Sequence, residues 1–235
     1  MTLSRELGEV LRRASTATIT AQLQKRGIRN SFFSGLRPIR PGQTMVGVAR
    51  TLRFGPMRED LVASLQAGVN AQRRAIEGLG LGDVLLIDAR NEPDAGTIGD
   101  VLAMRAQILG AAGVVTDGGV RDEAALRAIS LPMYHRSGHG ATFSRRHLPL
   151  DVDLPIACAG VLVMVGDVIV GDDSGAVLIP AGLVAEVARD AAEQELKDAW
   201  AFERVRAGDG LVGTFPLGET RMPEFEAWKN SRPQV

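Results

Sequence analysis

The feature that most constrains the fold of this chain is a rapid alternation of short apolar runs and helical segments. Three runs have the length of buried strands, 83–88, 113–116 and 132–135. The segments between them, 100–109 and 122–129, have the spacing and length of short helices. Strands that alternate with helices in this way indicate βαβ units, and such units place their strands parallel in one sheet.

A second block, between Pro155 and Pro180, has a different pattern. Short apolar runs follow one another there with only glycine- and aspartate-containing turns between them, at 156–159, 161–165, 167–170 and 176–179. Connections this short favour antiparallel pairing of at least some strands. The same turns interrupt the stretch too often for a membrane-spanning helix. A parallel part and an antiparallel part in one core predict a layered β/β/α domain.

The rest of the chain is predicted to surround this core. Apolar residues at helical spacing predict a first helix near the N-terminus, and Ser15 or Thr16 is expected to cap a second one. A β-type stretch (35–54) and a helical stretch (61–77) follow. A long helix, about 181–207, precedes a polar tail that contains Trp228.

No repeat or linker divides the sequence, so a single domain is predicted over residues 1–235. It has N-terminal helices at about 3–27, a core at about 35–180, and a C-terminal helix and tail at about 181–235.

Composition limits the chemistry that this domain can carry. The 27 Lys and Arg residues balance 28 Asp and Glu residues, for a formal net charge of −1. This balance argues against nucleic acid or an anionic membrane as a partner. One cysteine and three histidines exclude a Cys-rich metal site and leave little for a histidine cage, so a metal would be a hard cation on oxygen ligands. No export signal is visible at the N-terminus, which predicts a cytoplasmic protein.

Two glycine-containing segments follow the predicted parallel strands and lead into helices. They are 94–100 and 117–122. Ligands of such sheets collect beyond the carboxyl ends of the strands, and helix N-termini favour anions. One pocket would therefore hold Asp100, Arg121 and Asp122. Two carboxylates suit Mg²⁺ or Mn²⁺, and the planar Arg121 fork suits a carboxylate or a developing enolate.

A simpler interpretation is that these residues only support the fold. Asp100 and Asp122 would then cap helices, and Arg121 would form a surface ion pair, because acidic residues are common in the first turn of a helix. Spacing alone favours this simpler interpretation.

The spacing also resembles a family signature. Asp100, twenty intervening residues and then Arg121-Asp122 is similar to the D-x20-R-D pattern of the RraA-like family, specifically its 4-hydroxy-4-methyl-2-oxoglutarate aldolase branch. The surrounding segments 82–84, 113–122 and 165–175 are similar too. The resemblance extends from about Ser15 to Gly208 and outweighs the cap interpretation.

The resemblance implies a swivelling-type β/β/α fold assembled as trimers or hexamers, with active sites between protomers. It implies that Asp122 binds Mg²⁺ or Mn²⁺ directly and that Asp100 acts through a metal-bound water. An acidic residue of the long C-terminal helix would enter a neighbour's site, and Glu195 and Asp198 are the candidates.

The resemblance also implies how a substrate would lie. Arg121 would face a pyruvyl group whose carboxylate is held by the backbone of residues at the helix start, namely Gly99, Val101 and Leu102. A basic residue after the third strand would contact a distal carboxylate. Spacing points to Arg145, with Arg136 and Arg146 nearby.

One segment departs from the family's pattern, the stretch from Tyr134 to His147. It contains His135, His139 and the paired Arg145-Arg146. The three histidines allow a proton relay, although solvated or structural histidines are the more common case.

The implied function is a divalent-metal-dependent aldolase that cleaves a 4-hydroxy-2-oxo dicarboxylic acid to pyruvate. Oxaloacetate decarboxylation would pass through the same enolate. A different class remains open, a noncatalytic regulator that binds an RNA-degrading endonuclease. Regulators of this fold lack the Arg-Asp pair, so Arg121-Asp122 favours the enzyme. A third possibility is a lyase for another 2-oxo or sugar acid.

Overall fold

The computed structural model describes residues 3–65 and 67–232. The α-helices in these residues are α1 (Arg5–Arg13), α2 (Thr16–Lys25), α3 (Val62–Leu65), α4 (Ala71–Glu77), α5 (Asp100–Ile108), α6 (Glu123–Ala128), α7 (Val184–Arg206) and α8 (Met222–Asn230). The strands are β1 (Arg37–Pro38), β2 (Met45–Pro56), β3 (Asp83–Asp88), β4 (Gly113–Thr116), β5 (Gly119–Val120), β6 (Met133–His135), β7 (Ser137–Gly138), β8 (His147–Val152), β9 (Ile156–Cys158), β10 (Val161–Val163), β11 (Val168–Asp172) and β12 (Gly175–Ile179).

The main sheet is mixed, as the two sequence blocks predict. Its strand order is β1-β6-β4-β3-β2-β11-β12, and β8 also pairs with β2. The neighbours β2, β3, β4 and β6 are parallel, whereas β8 and β11 run antiparallel to β2. The parallel strands therefore end together at one edge of the sheet, and the loops after β3 and β4 leave from that edge.

The sheet is nearly closed because a short segment joins its two ends. Leu178 of β12 donates its N–H to the Ser31 carbonyl, and the N–H of Phe33 donates to the Ala176 carbonyl. The chain then continues directly into β1 at the opposite end. Closure in this way pairs edge groups that would otherwise be exposed.

Apolar side chains pack on both faces of the sheet. Along β3, Leu85 and Ile87 join the core beneath α4, α5 and α6, while Val84 and Leu86 join a core that is closed by the β9–β10 hairpin. This alternation follows from the two-residue period of a strand. A third core lies between β11–β12 and the helices α1, α2 and α7. The predicted β/β/α layering is confirmed.

Most predicted elements are confirmed, including both N-terminal helices. Ser15, rather than Thr16, is the N-cap of α2, because its side chain accepts a hydrogen bond from the Thr18 N–H. The predicted continuous helix at 61–77 is wrong. The chain forms α3 and then a separate α4, which begins after Asn70 because the Asn70 side chain caps the Arg73 N–H.

The sequence analysis predicted neither β8 nor α8. Strand β8 lies in a stretch for which no element was predicted, and α8 lies in the tail described as polar. Each is stabilised by a distant partner, β2 for the strand and α7 for the helix. None of the helices in the described residues is both long and apolar enough to cross a membrane.

Candidate active site

The loops after β3 and β4 lie side by side, as predicted. Thr97 donates its N–H to the Gly119 carbonyl at 2.7 Å, and Arg121 donates its N–H to the Ile98 carbonyl at 2.9 Å. The hydroxyl oxygens of Thr97 and Thr116 are 2.9 Å apart and both buried. These bonds connect the two loops into one surface, so residues separated by more than twenty positions share a single site.

The close approach of the loops requires glycine at two positions. A Cβ at Gly118 would lie 2.6 Å from the Ala89 Cβ, and one at Gly119 would lie 2.8 Å from the Ala95 carbonyl oxygen. Both distances are far below van der Waals contact. The glycines expected to bind an anion thus serve first to bring the two backbones together.

Asp117 is a buried carboxylate that sequence reasoning did not single out. It accepts backbone N–H bonds from Ala89 at 2.6 Å, Ala159 at 3.1 Å and Asn91 at 3.2 Å. Burial raises the pKa of its carboxyl above the usual value. These bonds support a turn in which Arg90 and Asn91 both have positive φ, 60° and 56°. Asp117 therefore positions the loop that carries half of the site.

Arg121 is half-buried and extends across the backbone of the neighbouring loop. A Cβ at Gly96 would lie only 2.1 Å from the Arg121 Cγ, so the glycine provides the space for this side chain. The Arg121 Nε is buried and has no hydrogen-bond partner in the described residues. A buried guanidinium donor without a partner is costly unless a ligand accepts from it.

Asp122 does not act as a side-chain cap. It is the N-cap residue of α6 by position, but its side chain makes no capping hydrogen bond, and its φ of 57° is left-handed. Its carboxylate is exposed and faces Gly99, where a Cβ would lie 2.8 Å from the Asp122 Oδ2. The cap interpretation is therefore wrong for Asp122, and its carboxylate is available to a ligand.

Asp100 is the first residue of α5, and Gly99 is the N-cap. The Asp100 Oδ1 accepts the N–H of Val101 at 2.8 Å, so the carboxylate stays at the start of the helix. This bond engages one of the amides predicted to hold a substrate carboxylate. A ligand there would compete with Asp100 for Val101, and Leu102 is the second predicted amide in this turn.

Arg136 is one of three arginines expected near a distal carboxylate, and it is engaged by the fold. Its Nε donates to the Asp117 carbonyl at 3.0 Å, and its Nη2 donates to the Asn91 Oδ1 at 2.6 Å. The half-buried guanidinium therefore links the two loops.

The other two arginines are exposed. Arg146 forms long ion pairs with Glu92 at 3.9 Å and Asp94 at 3.5 Å. The Arg145 side chain forms no hydrogen bond or ion pair with any residue that the structure describes. Arg145 lies three residues after Thr142, which forms a parallel β-bridge with Gly96 in the site. Of the three candidate arginines, Arg145 is thus the one whose side chain has no partner among the described residues.

The three histidines have separate environments. His135 is buried and its Nδ1 lies 3.0 Å from the Ser137 carbonyl oxygen, to which it donates, and His147 is fully buried on β8. Burial lowers the pKa of both imidazoles. His139 is half-buried, and its Nδ1 accepts the Ala141 N–H at 3.0 Å. No hydrogen bond joins one histidine to another in the described residues.

The candidate acids of the C-terminal helix have partners within this chain. Glu195 accepts the Ser15 N–H at 2.8 Å, and Asp198 accepts from the Gln194 side-chain amide at 2.8 Å. Glu195 is thus bound to the start of α2. A role for either residue in a neighbour's site stays a prediction.

The donor set fits a hard divalent cation that keeps much of its water. The described residues contain no group of three or more His, Cys, Asp or Glu side chains placed to hold a metal. The Asp122 carboxylate forms no hydrogen bond or ion pair with the residues that the structure describes, and Mg²⁺ is commonly held by one or two carboxylates with water and substrate. It offers one such carboxylate next to Gly99, the N-cap of the helix that Asp100 begins.

An open groove extends from Asp100 along the outer surface between α5 and α6. Its volume is about 460 Å³. Its lining residues are mostly apolar: Asp100, Val101, Met104, Ala125, Ala128 and Ile129. A second cavity of about 340 Å³ lies between α1 and the start of β3, at the opposite end of the parallel strands.

The sequence and the fold both match known proteins. The model of the family described as "RraA-like: Aldolase/RraA" matches residues 16–178. A protein of Halalkalibacterium halodurans named "Putative 4-hydroxy-4-methyl-2-oxoglutarate aldolase" is 33% identical over 172 residues, 73% of this chain and 76% of that protein. A protein of Thermus thermophilus named "4-hydroxy-4-methyl-2-oxoglutarate aldolase" is 32% identical over 46% of this chain and 65% of its own.

Among solved structures, Streptomyces coelicolor RraAS2 superposes with a TM-score of 0.78 at 33% identity. The match covers 87% of this chain and 98% of that one. It is described as an unusual member of the RNase ES inhibitor RraA protein family. The names of these relatives thus refer to two different activities, that of an aldolase and that of a family of RNase ES inhibitors.

Proposed function

The chain belongs to the RraA-like family, and we propose that it is a metal-dependent lyase that releases pyruvate from a 4-hydroxy-2-oxo acid. The observation that carries this proposal is the pairing of two groups that the fold leaves unused. The Arg121 Nε is buried without a partner among the described residues, and the adjacent Asp122 carboxylate is free of capping bonds. An unpaired guanidinium donor is what an anionic substrate requires, and a free carboxylate is what a cation requires.

Asp122 would hold Mg²⁺ or Mn²⁺, with Asp100 behind it. A divalent cation there supplies a Lewis acid that polarises the 2-oxo group of the substrate. The protein's own residues orient the substrate. Arg121 binds the pyruvyl oxygens, and the first turn of α5, at Gly99, Val101 and Leu102, receives the C1 carboxylate.

Cleavage then needs one proton acceptor and one stabilised anion. Asp100, through a bridging water, takes the proton of the C4 hydroxyl, so that C4–O becomes a carbonyl. The electrons of the C3–C4 bond form the C2–C3 double bond of the pyruvate enolate. Arg121 stabilises the negative charge that develops on the C2 oxygen, and such preorganised stabilisation accelerates the step. The same water then delivers a proton to C3 and takes back the one held by Asp100, which completes pyruvate and restores the carboxylate.

Oxaloacetate decarboxylation is part of the same proposal. Loss of carbon dioxide from oxaloacetate leaves its bonding electrons on the same enolate, so the same residues would stabilise it. Arg145, which is exposed and unengaged in the described residues, is the residue proposed to contact the distal carboxylate.

We also propose that the working molecule is a homo-oligomer, a trimer or hexamer, with the site at the boundary between copies. On α5, the side chains of Val101, Met104 and Ile108 are 75%, 41% and 67% exposed. Their spacing puts them on one helix face, beginning next to Asp100. An apolar stripe in this position is suited to a second copy that closes the open side of the site.

The decisive experiment is metal-dependent pyruvate release. Oxaloacetate and 4-hydroxy-4-methyl-2-oxoglutarate are supplied with Mg²⁺, with Mn²⁺ or with a chelator, and pyruvate is measured by a coupled dehydrogenase. Wild-type protein should be active only with metal, and Asp122→Ala should lose activity by about a hundredfold or more. Glu226→Ala, an exposed carboxylate on α8, serves as the control. Full turnover by Asp122→Ala would refute the assignment.

A second function is supported by the likeness to RraAS2. In that case the protein would bind and inhibit an RNA-degrading endonuclease without catalysis. A pull-down with an endonuclease of the RNase E type distinguishes the two. Binding without metal-dependent pyruvate release would favour the regulator, and release without binding would favour the lyase.

A further inference from the structure

His139 lies beside Arg121 because of strand pairing. Strands β5 and β7 are parallel, with Gly119 opposite Ser137 and Val120 opposite Gly138. His139 follows β7 as Arg121 follows β5, and the His139 N–H donates to the Val120 carbonyl at 2.8 Å. The two residues therefore leave adjacent strands at the same end.

The segment that begins at His139 crosses the end of β5. From β7 on one side it reaches Gly96 on the other, where the Gly96 N–H donates to the Ala141 carbonyl at 2.9 Å and Thr142 forms a parallel bridge with Gly96. Gly96 is also the residue over which the Arg121 stem extends. Residues 139–142 thus form a border of the Arg121 site. The start of α5 contacts a different part of the arginine, since a Cβ at Gly99 would lie 3.6 Å from the Arg121 Cβ.

The bond between His139 and Ala141 determines the state of the imidazole. A backbone N–H can only donate, so the Nδ1 that lies 3.0 Å from the Ala141 nitrogen must be an acceptor. In the neutral ring the proton is then on Nε2.

The Nε2–H of His139 is a donor that remains open. The ring is half-buried, Nε2 has no partner in the described residues, and it is not among the buried unpaired atoms. The other two histidines of the chain are 2% and 0% exposed. His139 is thus the histidine that a bound ligand can reach.

We propose that His139 is a specificity-determining residue, which donates a hydrogen bond from Nε2 to the oxygen substituents at C4 of the substrate. This proposal rests on the proposed lyase function. If α5 and Arg121 hold the pyruvyl end, then C4 extends toward the border formed by residues 139–142. Because Nδ1 accepts the Ala141 N–H, the Nε2–H is the donor that an oxygen acceptor there can use.

The test compares a substrate that has C4 with one that lacks it. Oxaloacetate turnover uses the C4 carboxylate, whereas exchange of pyruvate methyl protons with D₂O, followed by NMR, uses only the pyruvyl end. His139→Leu should raise KM for oxaloacetate about tenfold, the usual effect of losing a hydrogen bond to a charged group. The exchange rate should stay within about twofold of wild type.

His139→Gln is the matched variant, because an amide offers one acceptor and one donor as the neutral imidazole does. It should keep KM within about threefold of wild type. Equal losses in turnover and exchange for His139→Leu, or an unchanged KM, would overturn the role of His139. A wild-type protein that neither releases nor exchanges pyruvate would instead overturn the lyase itself.

The tautomer is tested without any substrate. Long-range ¹H–¹⁵N correlation spectra of the folded protein distinguish a proton on Nε2 from one on Nδ1. Nε2 protonation of His139 near neutral pH is expected. A proton on Nδ1 would contradict the proposal.

Discussion

Gly96 determines where the Arg121 side chain can lie. A Cβ at this position would be 2.1 Å from the Arg121 Cγ and 3.2 Å from the Ala141 carbonyl oxygen. The backbone of Gly96 is not among the positive-φ glycines of the described residues. An added methyl group would therefore displace the Arg121 stem, while the Gly96 φ itself allows an alanine.

Gly96→Ala is expected to lower kcat for pyruvate release about a hundredfold, since misplacing a preorganised charge-stabilising donor has this cost. The melting temperature should change little. Gly182→Ala, where an added Cβ meets nothing within 4 Å, is the control. Activity of Gly96→Ala close to that of wild type would show that the Arg121 position is unimportant.

His147 couples stability to pH. Its ring is fully buried against Phe54, with centroids 5.4 Å apart, and its Nδ1 lies 3.4 Å from the Arg90 Nη2. Burial, followed by the charges of Arg90 and Arg146, lowers the pKa of His147 to about 4. In the unfolded chain a histidine titrates near about 6.5.

Between about pH 6.5 and 4, the unfolded chain therefore binds a proton that folded His147 does not, so acidification through this window favours unfolding. The loss in the free energy of unfolding from this residue is up to about 3 kcal/mol. His147→Leu should reduce the slope of stability against pH in denaturant titrations. An unchanged slope in His147→Leu would contradict the pKa shift.

The two halves of helix α7 pack against different parts of the molecule. Its first half packs on the body through Val184, Val187, Ala188 and Ala191. Its second half packs against α8, where Trp200, Ala201 and Phe225 form a separate cluster with Trp228 beside it. At about 1.5 Å per residue, the 23 residues of α7 extend about 35 Å, enough to carry this cluster beyond the body.

Trp200 and Trp228 are the only two tryptophans of the sequence, so tryptophan fluorescence reports on this cluster alone. Phe225→Ala removes a fully buried ring that contacts both, a change worth about 3–5 kcal/mol in a core. It should lower the denaturant midpoint seen by fluorescence and leave the midpoint seen by far-UV circular dichroism nearly unchanged. Leu85→Ala, in the sheet core, is the converse control, and it should lower the midpoint seen by far-UV circular dichroism. Coincident shifts in both signals would show that the cluster unfolds with the body.

At the scale of the whole molecule, the apolar stripe of α5 stands next to the proposed site. Val101, Met104 and Ile108 are exposed, and the groove of about 460 Å³ begins at Asp100. A second copy placed there would bury the stripe and restrict water at the site.

Ile108→Glu should dissociate the proposed oligomer, because a charge would be buried at the proposed interface. Size-exclusion chromatography with light scattering measures the change, and pyruvate release should fall with it. Leu162→Glu, on β10 and similarly exposed at 65%, is the control. A variant that stays oligomeric would place the contact on another face, and a monomeric wild type would refute the assembly.

The sequence by itself determined the features that depend on neighbouring residues. Apolar runs of strand length predicted β3, β4 and β6, and the loops after two of them predicted Asp100, Arg121 and Asp122 in one site. The strand predictions and the adjacency of the two loops are confirmed, because strand period, helix period and glycine turns are local properties of the chain. That the three side chains form a functional site stays a prediction.

Only the tertiary structure decided which of these groups the fold uses and which it leaves to a ligand. Arg136 is engaged by Asn91, 45 positions away, and Asp117 is bound to Ala159, 42 positions away. Such contacts join residues from different elements, and no local pattern records them. The same holds for the open Nε2 of His139 and for the free carboxylate of Asp122, because a group is unpaired only relative to everything that packs around it.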